Sequence, residues 1–424
     1  MISTRKASLA IGILAVAATS ALAAPARKFE WTTKSDDAKR LLSQLQGQIE
    51  NFQFGPRNVE LAQRIVAADP SFAMGEYYLS AVQPPPDNQA HLDKAVLLSK
   101  DASEGERRFI EAMVKVRANQ GANPQDGLPE LAKLAEEYPG ERLIQVLLGQ
   151  IYAGTNQPEK ARVAFEKTQA IGPRSNRVAA FLANDDLLKG EFKKAREGFQ
   201  AVEKELPKGA APFLVRYGLA FAHLYEGNPD AAIQALETYL VEYKDAGLAQ
   251  GFPEVFIWNS IARINLEYGR TEPAMKAYEK GYESVPGSTL PEDQKQVWLG
   301  RLSHGKARTL AKMGRHEQAW AEADKVKTMI ESGGEPAKQY WPAYHYLAGY
   351  LLLEKGDGAK ALEHLKQANA DNDPFHALLL ARAYEKAGDK PSAKKTYETV
   401  LASKNNGLER ALAYPEAKKR LQAL

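Results

Sequence analysis

The chain has 424 residues, 26% of them charged and 44% hydrophobic, with no cysteine and a formal net charge of +3. So even a charge balance argues against a polycation built for nucleic acid, and the lack of cysteine excludes disulfides, thiol nucleophiles and thiolate metal sites. The length would ordinarily mean two or three domains, but a single array that grows by adding units reaches it as well.

The first 23 residues read as an export signal. Arg5 and Lys6 supply its positive end, Leu9 to Val16 its apolar core, and Ala21-Leu22-Ala23 a small-residue cleavage site before Ala24. The apolar run is too short to span a bilayer, and no other stretch approaches that length, so no membrane insertion is expected. The signal holds two basic residues and no acidic one, which leaves +1 on the mature chain. An exported chain without a lipid-acceptor cysteine is expected to be a soluble bacterial periplasmic protein; full secretion is the other destination the same signal serves. Residues 24–34 are expected to form a short polar leader.

From Ser35 the pattern turns helical. Residues 35–140 hold hairpins of irregular spacing. A helix at Asn58–Ala68 is closed by Pro70, and one near Phe72–Val82 is followed by Pro84-Pro85-Pro86, which cannot be helical. Asn88–Lys100 places Leu92, Ala95 and Val96 inward, and Glu104–Ala118 pairs with Leu128–Tyr138 before Pro139. From 141 to 405 the register is regular. Leu148, Gly149 and Tyr152 share one face of a first helix; Ala161 and Phe165 share one face of a second. The small residue of the first helix recurs at Ala183, Ala220, Ala262, Ala307, Gly349 and Ala381, and a second-helix alanine follows each of these, and Gly149, twelve residues later. Four residues further on stands Phe165, Phe199, Leu236, Tyr278, Ala323, Leu365 or Tyr397. Turn glycines keep the same frame at Gly190, Gly227, Gly269, Gly314, Gly356 and Gly388. Such a hairpin leaves one face apolar and is stable only when stacked on copies of itself.

These offsets resemble the tetratricopeptide repeat family, whose 34-residue period is met between Gly149 and Ala183. Extra residues between later units lengthen the step. The resemblance implies an all-α fold: a right-handed superhelical solenoid of stacked antiparallel helix pairs, about ten of them, with a concave groove lined by the first helices. Residues 406–424 are expected as a C-terminal helix capping the last apolar face.

No catalytic pattern stands out. The seven histidines form no H-E-x-x-H spacing, and no G-x-S-x-G, P-loop or G-x-G-x-x-G occurs. Asp185-Asp186 is the most tempting carboxylate pair, but adjacent helical residues diverge by about 100 degrees. Asn228-Pro229-Asp230 and Asp371-Asn372-Asp373 lack the rest of a calcium loop and read as turns. The repeats account for the whole chain, so neither an enzyme nor a cofactor or metal is expected. The family frame, applied residue by residue, puts Asn259, Arg263, His304, Arg308, Tyr346, Tyr350 and Arg382 on the groove face, with Arg301 one turn before His304. Arginine with asparagine and tyrosine suits an extended acidic peptide or protein surface; a solvated basic helix face is the plainer account. The earlier groove positions, Val146, Gln150, Ala180, Asn184, Tyr217 and Phe221, are neutral. The expected role is a protein–protein scaffold with an acidic partner and no nucleic acid; a small ligand such as a glycan or cell-wall fragment is the alternative.

Overall fold

A computed structural model describes residues 27–84, 86–117, 124–207, 210, 212–368 and 372–424. The export signal expected at residues 1–23 lies outside them. The described residues are helices joined by turns, arranged as a helical-repeat solenoid. The irregular part holds α1 (Asp36–Glu50), α2 (Pro56–Ala68), α3 (Ala73–Val82), α4 (Asp87–Ser99), α5 (Glu104–Arg117) and α6 (Leu128–Glu137). The regular part begins with α7 (Arg142–Gly154), α8 (Pro158–Ile171), α9 (Asn176–Leu188), α10 (Phe192–Glu203), α11 (Phe213–Tyr225) and α12 (Pro229–Asp245). It continues with α13 (Val255–Glu267), α14 (Thr271–Glu283), α15 (Glu292–Lys312), α16 (His316–Ser332) and the single turn α17 (Gly334–Ala337). It ends with α18 (Trp341–Lys355), α19 (Gly358–Gln367), α20 (Pro374–Lys386), α21 (Lys390–Ala402) and α22 (Leu408–Ala423).

The interlock read from the sequence is visible in the packing. A methyl group added to Gly149 would lie 2.5 Å from the Phe165 ring, and one added to Gly349 would lie 2.5 Å from Leu365. The small residue therefore lets the two helices of a unit approach until the large residue fills the gap. The six turn glycines all have φ between +75° and +93°, a conformation that a side chain disfavours. In the unit of Gly149 the turn uses Asn156 instead, at φ +58°, since asparagine tolerates the left-handed region.

Two apolar cores result. One takes side chains from Phe29 to Leu148 and the other runs from Ala180 to Ala417, with smaller clusters at Val146, Ala161, Phe165 and Val178 and at Val255, Val285, Leu290 and Trp298. The second core reaches back for Phe52, just after α1. Phe52 has φ +59°, strained for an aromatic residue. Near this turn the carbonyl of Glu50 accepts a hydrogen bond from Ser175 Oγ at 3.3 Å, and the Glu50 carboxylate pairs with Arg142. The end of α1 is thus stapled to the start of α9.

Two expectations change. Residues 27–34 are not merely a polar leader. Phe29 packs on Trp31 and Tyr138, Trp31 on Phe72, and Ser103 Oγ donates to the carbonyl of Glu30 at 2.6 Å. The two aromatics are outnumbered by polar neighbours in composition, yet they decide the packing. Helix α22, for its part, does more than cover the last unit. It crosses the superhelix: Arg410, 2% exposed, donates to Tyr225 OH at 2.8 Å and to the carbonyl of Leu187, while Asn406 Nδ2 donates to Asn184. Arg410 also stacks over Tyr225 and Tyr414.

The Gly149–Phe165 interlock is testable. Gly149→Ala should lower the unfolding free energy in urea by about 1–3 kcal/mol through overpacking, and Phe165→Leu in the same chain should cost less than it does in the Gly149 parent.

Candidate functional site

The structure brings five of the eight candidate residues together in one packed network and leaves three outside it. In α13, Arg263 donates to Tyr346 OH at 3.1 Å, pairs with Glu267 at 3.4 Å and lies 4.3 Å over the Phe375 ring. In α15, Arg308 is 5% exposed and donates to Tyr278 OH at 3.1 Å. Tyr350 is fully buried, and its hydroxyl donates to the Glu267 carboxylate at 3.4 Å. The Tyr346 ring sits 5.6 Å from His304 and 6.1 Å from His376. Burial pushes the Tyr346 hydroxyl up to about 12 even against the two arginines. Burial, then the charges of Arg308 and Arg263, hold the His304 imidazole well below its usual range.

These residues are not left open to solvent as a groove lining would be: side chains of α13, α15, α18 and α20 meet one another there. Glu267 is the hub. It also draws Lys312 to 3.9 Å, and it falls at no groove position of the frame, so sequence reading passed over it. The signal was present only as an acidic residue one turn after Arg263.

Arg382 stands apart and is covered: its Nε donates to Glu416 of α22 at 2.8 Å. Arg301 remains exposed, its guanidinium 4.5 Å over the Trp298 ring. Asn259 is half-buried near the start of α13. The stretch from Asn259 to Tyr350 is therefore largely filled by its own side chains, while beside Arg382 clefts remain, lined by Lys312, Glu354, Glu416 and Arg420. Asp185 and Asp186, expected to diverge, instead converge on one guanidinium: Arg162 donates through Nε to Asp185 and through Nη2 to Asp186, so the pair ties α8 to α9. Asn228 caps α12 by accepting from the Ala231 amide. Among the described residues no group of three or more metal-ligating side chains converges, and no helix is long and apolar enough to cross a membrane.

A cleft with apolar walls lies in the other half. A cleft of about 870 Å³ runs between the end of α1, the start of α2, α3 and α7. Tyr77 and Tyr78 form its buried floor, with Gln46 donating to Tyr78 OH at 3.0 Å. Aliphatic walls come from Ile49, Val59, Val82 and Leu147, and Phe54 stands at the rim, 63% exposed. Val146 and Gln150, two of the neutral groove positions read from the sequence, line it as well. Ala180, Tyr217 and Phe221 are buried instead, and Asn184 is taken by Asn406. The residues from α1 to α3 belong to hairpins too irregular for the frame to place.

Residues 352–423 match the family model described as a tetratricopeptide repeat. No curated protein matches the chain. Among solved structures the chain is similar to yeast Tom70, 10% identical, covering 91% of this chain and 88% of that one with a TM-score of 0.43. It is also similar to a signal transduction ATPase with a tetratricopeptide repeat sensor from Pyrococcus horikoshii, 11% identical over 92% of this chain and 64% of that one, TM-score 0.47. A third is the human IFIT1 dimer with m7Gppp-AAAA, 13% identical over 87% and 95%, TM-score 0.44.

Two outcomes test the packed network. Arg263→Glu places a second carboxylate beside Glu267 and should cost about 3–5 kcal/mol in urea unfolding, whereas Arg301→Glu should change it by about 0.5 kcal/mol or less. His304 also sets a pH dependence. Its folded pKa is depressed below the ordinary 6.5, so its contribution is complete above that value and is lost as pH falls toward the folded one. His304→Gln should therefore flatten the acid side of the stability curve, cutting the loss between pH 7.5 and 5.5 by about 1 kcal/mol.

Proposed function

We propose, from the premise that the chain is a tetratricopeptide repeat protein, that it is a protein-interaction scaffold whose contact site is the cleft between α1 and α7. One observation carries this choice. The stretch between Asn259 and Arg382 is packed by internal ion pairs and ring contacts, and the clefts left at its end beside Arg382 are lined mainly by charged side chains, while the cleft between α1 and α7 is lined mainly by apolar side chains with room above them. Its shape and lining suit an extended segment of a partner protein. Apolar walls bury side chains of the segment, and amide groups at the rim meet its backbone. A sugar presents a hydroxyl on nearly every carbon and would leave most of them unpaired against Ile49, Val59 and Leu147. We further take the scaffold to act in the bacterial periplasm, a reading supported by the signal-like residues 1–23.

The test is crosslinking in the producing cell from a photo-reactive residue at Gln150, with an equivalent residue at Arg308 as the comparison. A discrete protein adduct at Gln150, lost in Phe54→Glu and absent at Arg308, is the expected outcome. Adducts from Arg308 alone would move the site back to the C-terminal half.

A further inference from the structure

The cleft holds polar groups that its own chain does not satisfy. Asn58, in the first turn of α2, is 4% exposed, yet its side-chain Nδ2 has no hydrogen-bond partner among the described residues. Gln83, just past α3, has an unpartnered buried Oε1. Both residues line the cleft. A buried donor or acceptor without a partner costs about 1–3 kcal/mol, so a native chain keeps few of them. One donor and one acceptor in the same cleft are the complement of a peptide group, which offers one carbonyl and one N–H.

The cation of the cleft is also without an ion pair among the described residues. Arg177, in the first turn of α9, has no carboxylate within ion-pair distance among the described residues, and its guanidinium lies 6.0 Å from the centre of the Phe54 ring. The acid closest in effect is Glu50, but Arg142 holds that carboxylate through Nε at 3.2 Å and Nη2 at 2.5 Å. Glu60, the other acid of the lining, is solvent-exposed on α2. Burial lowers the Arg177 pKa from its usual value, as expected for a cation partly removed from water without a counter-ion.

We propose that the occupant is an extended segment of a partner protein bearing a large apolar side chain beside an aspartate or glutamate. The apolar group seats against Phe54, Ile49 and Val59, the main chain bonds Asn58 and Gln83, and the carboxylate pairs with Arg177. This rests on the cleft being the contact site. It adds the chemistry of what the cleft selects.

The experiment uses the mature chain and fluorescein-labelled peptides, blocked at both ends, of the pattern Gly-Glu-Phe-Glu-Gly, with Gln or Lys replacing Glu and Ala replacing Phe. Binding is read by fluorescence anisotropy, with a chitin oligosaccharide as competitor. The Glu–Phe peptide should bind about tenfold more tightly than its Gln version, as a charge-assisted hydrogen bond allows. Arg177→Gln should bring the two within about twofold while the preference for Phe over Ala persists. Arg177→Glu should reverse the order toward the Lys peptide. Thermal melts of each variant show whether the fold is retained; if Arg177→Glu melts early, Arg177→Gln alone decides. Peptide binding that is lost in Phe54→Glu but indifferent to Glu, Gln or Lys overturns the acidic chemistry and leaves the cleft standing. Binding unaffected by Phe54→Glu, no binding at millimolar peptide, or displacement by the oligosaccharide alone overturns both.

Discussion

Everything in this fold depends on one steric constraint: within a unit, a small residue on the first helix must face a large one on the second. Gly149 against Phe165 and Gly349 against Leu365 leave no room for one more methyl group. The interlock fixes how close the helices of a pair approach, and thereby which apolar face each pair presents to the next. A hairpin so built cannot bury that face alone. Stacking follows, and with it a continuous inner wall of first helices. Most units from α7 onward repeat this solution, the α15–α16 unit having Ala323 at the large position, while the earlier hairpins reach a similar stack with other residues, Phe29, Trp31, Phe72 and Tyr138 among them.

What becomes of the inner wall differs along the chain, and the difference is one of winding. Between α13 and α20 opposite sides come within side-chain reach, so Arg263 touches Tyr346 and Phe375 across gaps of about a hundred residues in sequence. Buried cations there need anions, and Glu267 serves Arg263, Lys312 and Tyr350 together. Such a hub is costly to disrupt because each partner would keep its desolvation penalty without compensation. Helix α22 packs across this end through Arg410 and Glu416, leaving a cleft beside Lys312, Arg382 and Lys419. The α1–α7 half has no counterpart to α22 among the described residues, and there the wall stays open as a cleft.

The legible part of this structure was local. Turn glycines, the alanine columns and the small-to-large interlock all act within one hairpin, so spacing exposes them. Contacts over long separations did not show. Nothing in the sequence pairs Arg410 with Leu187 or Asn406 with Asn184, 223 and 222 residues away. The groove frame placed Arg263 and Arg308 on one face of their helices; it carried no information on which side chains of other units would cover them. Val146 and Gln150 were legible as groove positions, because α7 keeps the register. Ile49, Phe54, Asn58 and Arg177 were not. The first three lie in irregular hairpins, and Arg177 matters only because the α1–α9 staple brings it to the rim.

That staple links stability to recognition. Glu50 accepts from Ser175 with its carbonyl and binds Arg142 with its carboxylate, and Phe52 is held at φ +59° so that its ring enters the second core. Strained backbone persists only where surrounding structure over-determines it. The same turn carries Phe54 outward to the rim, beside Arg177. Since Glu50 is committed to Arg142, Arg177 has no carboxylate within ion-pair distance among the described residues. An ion pair that holds two halves of the stack together thereby leaves a cation facing the cleft.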